Sequence, residues 1–397
     1  MDSVCSPVNG HHAAAEDAAG RNGGALKKLR SFPIGADEVR REFGHHDPSV
    51  ARINNGSFGS CPASVLAAQQ RLQGLWLRQP DDFFFNELQP AILRSRQVIK
   101  SLINADHVEE VSIVDNATTA AAIVFQRVQR AFQEGIYDRG DAVVLLHYAY
   151  GSVKKSAHAY VPLPFPVTSE EEVVGEFRKA LEVAKDGGRR KVRLAVIDHI
   201  TSMPSVVIPV KRLTKICREE GVEQVFVDAA HALGNVEIDI REIGPTSTPA
   251  TSTSGSSASV RCIPVLGING IMKRNHDKVV EMGKMLAGAW GTCLGSPPEM
   301  SCSMIMVGLP GCLRIASDED AQKLRRYLRE EFRIEVPTYH NATIHGEEAL
   351  LDLTSSITGY VRISHQVYNS EEDYYRLRDA INKVVKCGIT CQDFPSN

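Results

Sequence analysis

The sequence predicts an α/β protein in which a mainly parallel sheet is covered by helices and is followed by a smaller α+β region. Three observations support this fold class. From about residue 65 onward, stretches with helical periodicity alternate with short apolar stretches. The apolar stretches are rich in β-branched residues, as is typical of buried parallel strands. Beyond a Ser/Thr tract at residues 245–259, the order becomes helix, strand, helix, strand, helix, which suits a second, smaller domain.

The first region is predicted to contain four strands and three helices. The strands are Val111–Val114, Ala142–His147, Arg193–Ile200 and Gln224–Asp228, and the helices are Thr118–Glu134, Glu170–Lys185 and Val210–Glu220. The last helix is followed by Gly221, a residue typical of helix C-termini. In the second region, helices are predicted at Asn275–Trp290, Asp318–Phe332 and Glu371–Lys386, and strands at Met304–Leu309 and Tyr360–Ser364.

Composition and charge exclude several classes of protein. The chain has 397 residues, 43% of them hydrophobic, and a net charge of −3 from 45 basic and 48 acidic residues. This balance gives no basic footprint for nucleic acid, and no run of about 18 apolar residues is present to span a bilayer. Nine cysteines without a CxxC pair indicate reduced thiols in an intracellular protein. The pairs His11-His12 and His45-His46 lack further ligands nearby, so no metal site is predicted.

Residues 1–27 are predicted to be a disordered tail, because they are rich in small and polar residues and lack hydrophobic periodicity. The tail has no apolar core of a secretory signal. Its acidic residues Asp2, Glu16 and Asp17 precede the first basic residue, Arg21, which is unlike a transit peptide. We therefore predict a cytoplasmic protein, with an organelle as the open alternative.

No lysine occurs between Lys215 and Lys273, and the Ser/Thr tract lies inside this gap. Ten of the fifteen residues at 245–259 are Ser or Thr, and none is charged or aromatic. This composition is typical of a flexible linker. The position favours another interpretation, because the tract interrupts the chain where an α/β sheet is expected to continue, and a long linker inside a compact domain is unusual.

Polar residues follow the predicted strands at the edge where open α/β sheets bind ligands. Thr118 and Thr119 begin a helix whose first N–H groups and hydroxyls suit a phosphate, although this motif taken alone favours an ordinary N-cap by Asn116 or Thr118. Tyr150 follows the second strand and could cover one face of a flat heterocycle, or belong to the core. Ser202 follows the third strand, where turn chemistry is the alternative.

Two further candidate residues, Asp228 and Arg362, are charged side chains in otherwise apolar predicted strands. Asp228 ends a predicted strand, with His231 close behind, and a buried carboxylate there suits the N–H of a pyridinium ring. An N-cap or a salt-bridged core residue is the alternative. Arg362 lies in an apolar strand, where its planar fork suits a substrate carboxylate or a structural ion pair. Together these residues favour a cofactor site at one edge of the sheet.

Four segments of the sequence resemble the class V aminotransferase family, whose members depend on pyridoxal phosphate (PLP). The segments are Asn54–Gly59, Asn116–Thr119, Val227–Gly234 and Val361–His365. The resemblance extends from about Phe43 onward, except at residues 245–270, and is closest to plant members that act on L-cysteine. It implies a PLP-transferase type I fold like that of aspartate aminotransferase. The implied domains are a large PLP-binding domain at 76–266, a small C-terminal α+β domain at 267–397 and an N-terminal arm at 28–75 that contributes to the small domain.

The resemblance also implies roles for individual residues. Thr118 and Thr119 meet the phosphate, Tyr150 stacks on the ring, Ser202 lies near the ring hydroxyl, Asp228 pairs with the ring nitrogen, His231 lies close by, Arg362 binds the substrate carboxylate and Asn55 lies at the substrate entrance. The implied cofactor is PLP and the implied substrate is L-cysteine, which a homodimer would convert to hydrogen sulfide, pyruvate and ammonia.

One part of the family pattern is missing. In the family, the segment after Asp239–Gly244 continues into a strand and a stretch whose lysine bears the cofactor, whereas here Pro245 begins the Ser/Thr tract. We therefore predict an internal deletion in the large domain and no covalent link to PLP. His231 is then the nearby substitute for the lysine as a catalytic base. The alternative function is that of a catalytically inactive paralogue, which acts at most as a binding or dimerising partner.

Overall fold

Strands and helices alternate along the protein, whose computed structural model describes residues 36–149, 159–161, 165–246, 267–341 and 357–395. In these ranges the strands are β1 (Ala51–Arg52), β2 (Ala142–Leu146), β3 (Ala159–Val161), β4 (Val192–Asp198), β5 (Gln224–Asp228), β6 (Met304–Gly308), β7 (Ile334–Glu335), β8 (Thr338–His340) and β9 (Gly359–Ser364). The longer helices are α1 (Ala36–Phe43), α2 (Ala63–Arg78), α3 (Gln89–Leu102), α4 (Ala117–Gln133), α5 (Glu170–Lys185), α6 (Val210–Glu219), α7 (Ile268–Trp290), α8 (Asp318–Phe332) and α9 (Glu371–Lys386).

A parallel sheet in the order β3-β2-β4-β5 forms the centre of the first half. Its strands are buried because helices cover both faces: α5 and α6 pack on one face and α4 on the other. Parallel strands end at a common edge, and Asp198 and Asp228 are register partners at the carboxyl ends of β4 and β5. The sheet therefore brings the candidate site residues of two strands side by side.

An antiparallel sheet in the order β6-β9-β8 organises the second half, with β9 at its centre. Helices α7, α8 and α9 pack on it around an apolar core. Ala51 and Ile53 belong to the same core, because β1 pairs in parallel with β7. The N-terminal segment thus docks on the C-terminal half. The domain boundaries given above stay a prediction, and this pairing supports the assignment of the arm to the small domain.

Most predicted elements are present. The bounds of β5, α5, α8 and α9 coincide with the predicted ones. The other matching elements differ by one or two residues at their ends, except that α7 begins seven residues before its predicted start. Asn275, the predicted start of a helix, lies inside α7, buried, with its Nδ2 donating to Gln366 Oε1 at 3.2 Å. The short strands β1, β3, β7 and β8 are too brief to give a periodic signal.

The predicted strand Val111–Val114 is wrong. These residues follow a 3-10 turn, and no strand of the described chain pairs with them. Ile113 is 52% exposed, so its side chain does not enter the core. An apolar, β-branched stretch becomes a strand only where a neighbouring strand accepts its hydrogen bonds. The described sheet ends at β5 and offers no such neighbour here.

The helical stretch from Ala63 to Leu102 differs from the other helices. Helices α2 and α3 and the π-helical segment Phe83–Leu88 between them bury none of their residues. Ten large apolar side chains of this stretch are exposed, Val65 and Leu66 among them, and we call the eight from Leu72 onward the α2–α3 surface. They are Leu72, Leu75, Trp76, Leu77, Phe84, Phe85, Leu93 and Val98.

Three further properties bear on function. Among the described helices, none has the length and apolar character needed to cross a membrane. No cluster of three or more His, Cys, Asp or Glu side chains in the described ranges has the geometry of a metal site. The seven cysteines in those ranges are free thiols.

Candidate active site

Helix α4 packs on the sheet with its C-terminal end at the amino edge, because Tyr137, just beyond the helix, bonds to Glu223, just before β5. The N-terminus of α4 is therefore directed toward the carboxyl edge of the parallel sheet. Asn116 caps this helix, with its Oδ1 accepting hydrogen bonds from Thr119 N at 2.9 Å and Thr119 Oγ1 at 3.3 Å. The predicted N-cap is therefore present. The first turn of α4 contains no acidic residue, and Thr118 is exposed. The N–H groups of a helix's first turn have no partner within the helix, so this end can still receive an anion.

Asp228 lies at the end of β5 as a buried carboxylate. Its Oδ1 accepts a hydrogen bond from the backbone N–H of Ala230 at 3.0 Å. Burial raises the pKa of Asp228, and the bond from Ala230 offsets this only in part. No cation in the described chain opposes the shift. The predicted alternative of a salt-bridged core residue is thus absent from the described residues, whereas local turn bonding is present.

His231 is buried just beyond Asp228. Burial, and then the positive charge of Arg362, lower the pKa of His231 to about 4. The imidazole is therefore neutral at neutral pH. The charge of Arg362 is therefore one of the influences on the His231 imidazole.

Arg362 is the largest of the fully buried side chains, with 1% of its surface exposed. Its Nη1 donates to Ser202 O at 2.6 Å and Ser202 Oγ at 3.2 Å. Its Nη2 donates to Asn54 Oδ1 at 3.1 Å and Ser57 Oγ at 2.6 Å. All these acceptors are neutral, and Nε has no hydrogen-bond partner among the residues that the structure describes.

No carboxylate of the described chain compensates this buried charge. Burial lowers the pKa of Arg362, and the groups that oppose the shift are Tyr339 and Cys302, not an acid. The predicted alternative of a structural ion pair is therefore not found in the described residues. A buried guanidinium with neutral partners and one free N–H is suited to bind an anion from outside.

The loop from Asn54 to Ser57 supplies two contacts to Arg362 that the sequence interpretation missed. The prediction named Asn55, but the side chains on Arg362 are those of Asn54 and Ser57. Gly56 lies between them, and a Cβ there would come within 2.3 Å of Met304 Sδ. The sequence could have pointed to Asn54 and Ser57, since both belong to the segment Asn54–Gly59 that carries part of the family resemblance.

Asn55 itself is buried and bonded within the protein. Its Oδ1 accepts a hydrogen bond from the Tyr368 hydroxyl at 2.8 Å, and its Nδ2 donates to Asn369 Oδ1 at 2.8 Å. Its backbone N–H donates to Ser364 Oγ at 2.6 Å. The role of Asn55 at a substrate entrance stays a prediction.

The structure thus joins Ser202 to Arg362. It places Asp228 at the carboxyl end of β5, with His231 buried three residues further along the chain. Tyr150 lies outside the described residues, as does most of the Ser/Thr tract. The lysines that flank the gap lie on the surface: Lys215 pairs with Glu219, and Lys273 with Asp277. Neither is part of the site.

Comparisons with known proteins agree with this arrangement. Residues 83–245 match the family model described as aminotransferase class-V. The chain is 48% identical over 445 residues to L-cysteine desulfhydrase of Arabidopsis thaliana, covering 96% of this chain and 98% of the relative. A relative from Oryza sativa subsp. japonica is 52% identical over 430 residues, covering 92% of this chain and 89% of the relative. Both alignments are longer than the 397 residues of the chain, so parts of each relative lie opposite gaps.

Solved structures share the fold. A cysteine desulfurase from Thermococcus onnurineus NA1 has a TM-score of 0.63 at 16% identity, covering 90% of this chain and 100% of that one. A cysteine desulfurase from Escherichia coli has a TM-score of 0.61 at 13% identity, covering 88% of this chain and 98% of that one. These likenesses confirm the predicted fold class, whereas the internal deletion stays a prediction.

Proposed function

Because this chain belongs to the class V aminotransferase family, we propose that it is a PLP-dependent carbon–sulfur lyase that converts L-cysteine and water to hydrogen sulfide, pyruvate and ammonia. Class V aminotransferases, cysteine desulfhydrases and cysteine desulfurases are PLP-dependent. The L-cysteine desulfhydrase of Arabidopsis thaliana, similar over most of both chains, supports the choice of substrate. The structural observation that carries the proposal is the buried, uncompensated guanidinium of Arg362.

Arg362 is proposed to bind the carboxylate of the amino acid. Its neutral partners hold the guanidinium in place without neutralising it. In this buried setting a carboxylate gains more from the charge than it would in water, because the surroundings screen the attraction less. Ser57, whose hydroxyl accepts from Nη2, is an exposed residue, so we expect the substrate to approach the guanidinium from its side.

The described residues fit PLP held without a covalent link. When bound, PLP withdraws electrons from the α-carbon of the amino acid, so that the α-proton is lost and a thiolate leaves from the β-carbon. Asp228 would pair with the protonated ring nitrogen, which supplies the cation that this buried carboxylate lacks. Thr118, Thr119 and the first turn of α4 would hold the phosphate, with Ser202 near the ring hydroxyl. Tyr150 is proposed to cover the ring.

His231 is proposed to act as the base in place of the missing lysine. Its imidazole is neutral and is influenced by the charge of Arg362, the proposed carboxylate anchor. However, a base with a pKa of about 4 binds a proton weakly, and general-base catalysis is most effective near the working pH. We therefore expect slow turnover.

A catalytically inactive paralogue is the second candidate function, and the absence of any lysine from residue 216 to residue 272 favours it. Such a chain would bind PLP and L-cysteine but release no sulfide. The two candidates are separated by measuring PLP binding by absorbance and sulfide release from L-cysteine on the same preparation. Binding with sulfide release supports the lyase, and binding without release supports an inactive paralogue that binds ligands. Absence of PLP binding refutes the lyase and leaves the inactive paralogue only a dimerising role.

Replacement of Asp228 by asparagine tests the cofactor assignment. We expect Asp228→Asn to weaken PLP binding by about tenfold to a hundredfold, since it removes a charged hydrogen bond formed only with the ligand. The stability of the cofactor-free protein should change little, because burial already disfavours the charged carboxylate. Absorbance titration with PLP and thermal melts with and without PLP measure the two effects.

Asp239→Asn is the matched control for this experiment. Asp239 caps the short helix Ile240–Ile243, and its Oδ1 accepts from the N–H groups of Arg241 and Glu242. This variant should leave PLP affinity unchanged. A variant of Asp228 that is less stable alone, yet equally stabilised by PLP, would show that Asp228 is a structural residue.

A homodimer is proposed to cover the α2–α3 surface. Its eight exposed apolar side chains lie on helices that bury nothing in one copy, and monomeric proteins rarely leave such an area in water. A second copy is the natural occupant, because closed symmetric dimers are the commonest soluble oligomers.

The double change Trp76→Glu and Leu77→Glu is expected to convert the dimer to a monomer, because it places two charges in the proposed contact. Sedimentation velocity measures the change. Val183→Glu is the control, since Val183 is as exposed as Leu77 but lies on α5, outside the α2–α3 surface. A wild-type chain that sediments as a monomer at all concentrations would contradict the proposal.

The cytoplasm is the proposed compartment, with an organelle as the alternative. The acidic residues of the N-terminal tail support it, since transit peptides are poor in acids. Imaging of the full chain with a fluorescent protein at its C-terminus separates the two.

A further inference from the structure

The loop that contacts Arg362 is held by a tyrosine from the opposite end of the chain. Tyr368 follows β9, and its hydroxyl donates to Asn55 Oδ1 at 2.8 Å. Asn55 does not touch Arg362, but its neighbours Asn54 and Ser57 do. The hydroxyl of Tyr368 is therefore connected to the guanidinium of Arg362 through one short loop.

The loop depends on these bonds for its position. Ser57 N and Phe58 N both donate to Asn54 O, at 3.3 and 3.1 Å, so the loop closes on itself as a tight turn. Asn55 fixes this turn to the rest of the protein through its backbone N–H and both functional atoms of its amide. A buried amide oxygen that loses its donor is costly, so the side chain would move to find another. Movement of Asn55 would shift Asn54 and Ser57 with it.

The ring of Tyr368 is itself held on two sides. It packs against Phe43, with ring centroids 4.7 Å apart. It also makes a T-shaped contact with His46, with ring centroids 4.9 Å apart. His46 is in turn bonded to Ser60, three residues beyond the loop. Burial raises the pKa of Tyr368, so its hydroxyl stays a proton donor at neutral pH.

We propose that Tyr368 is a positioning residue, which acts through Asn55 to set the Asn54–Ser57 loop and thereby orients Arg362 for the substrate carboxylate. The inference rests on the proposed function, because it takes Arg362 as the carboxylate anchor. It also gives Asn55 a supporting role in place of direct contact with substrate. Neither residue is required to touch PLP.

The test uses a carboxylate that has no amino group and so does not react with PLP. We choose 3-mercaptopropionate, the deaminated analogue of L-cysteine, and measure its dissociation constant on the full chain with PLP bound, by isothermal titration. We expect Tyr368→Phe to weaken its binding about tenfold, the loss typical of one buried hydrogen bond, while the PLP dissociation constant stays the same. Phenylalanine keeps the ring contacts with Phe43 and His46.

Two further variants make the result specific. Asn55→Ala should weaken 3-mercaptopropionate binding at least as much as Tyr368→Phe does, because it also removes the bond to Asn369. The double variant should be no worse than Asn55→Ala alone, because the hydroxyl of Tyr368 acts only through its bond to Asn55. Tyr327→Phe is the control, since the Tyr327 ring stacks on Phe394 in the small-domain core. That variant should bind like wild type.

The outcomes separate this inference from the proposed function. If wild type binds PLP and 3-mercaptopropionate and Tyr368→Phe binds both equally well, the positioning role is wrong. The positioning role is also wrong if Tyr368→Phe weakens both ligands in proportion, since that indicates general destabilisation. If wild type binds PLP but not 3-mercaptopropionate, and binds no L-cysteine, the proposed function itself fails.

Discussion

Arg362→Lys is expected to weaken the binding of 3-mercaptopropionate about a hundredfold, the equivalent of about 3 kcal/mol. Lysine keeps the positive charge but not the planar guanidinium, so it would lose the one N–H, at Nε, that is free to donate to the carboxylate. It would also lose at least some of the four bonds to Ser202, Asn54 and Ser57 that hold the charge in place.

Folding must be separated from binding in this experiment, because Arg362 is buried. Thermal melts and circular dichroism establish the folded fraction, and titration is done well below the midpoint. Arg378→Lys is the matched control, since Arg378 pairs with Asp379 on the exposed side of α9. A folded Arg362→Lys protein with wild-type affinity for 3-mercaptopropionate would refute Arg362 as the carboxylate anchor.

The second large effect concerns covalent attachment of the cofactor. Incubation with PLP followed by borohydride reduction is expected to leave no single lysine labelled to completion in this chain. The reason is the span from Lys215 to Lys273, whose flanking lysines are held in surface ion pairs with Glu219 and Asp277. Peptide mass spectrometry after reduction measures the labelling, and the Arabidopsis relative treated in parallel is the control.

We expect the rate of sulfide release from L-cysteine to be reduced, because the lysine that serves as the base in the family is missing from this chain. A well-placed general base contributes about 10²–10⁴-fold to a rate, so we expect sulfide release to be slower than that of the relative by this factor. A small amine such as ethylamine, added to the assay, should restore part of the rate because it supplies a free base.

Complete labelling of one lysine in the borohydride experiment, with Lys273 the first to inspect, would contradict the prediction of a non-covalent site.

The sequence predicts the parallel sheet and part of the site for a physical reason. Buried parallel strands are continuous apolar runs, and their polar ends must meet at one edge, so Asp228 could be placed from the chain alone. Arg362 could be recognised as unusual because an arginine in an apolar strand needs a partner. The sequence of one strand could not show whether the partner of Arg362 was an acidic residue of the same chain. The fold shows that the described residues supply no such acid.

The contacts of Asn54, Ser57 and Tyr368 could not be predicted in the same way. They depend on the pairing of β1 with β7, which is only two residues long and joins segments nearly 300 residues apart in the chain. The error at Val111–Val114 has a related cause. Periodicity reports which residues favour a strand, but not whether a neighbouring strand is there to pair with it.

The uncompensated charge of Arg362 has a practical consequence for affinity measurements. A buried cation that lacks an internal counterion attracts any small anion able to reach it, so sulfate, phosphate or chloride from a buffer competes with the substrate carboxylate. Apparent dissociation constants will then rise with the concentration of the buffer anion and depend on its identity. Affinities extrapolated to zero anion concentration are the ones that describe the protein itself.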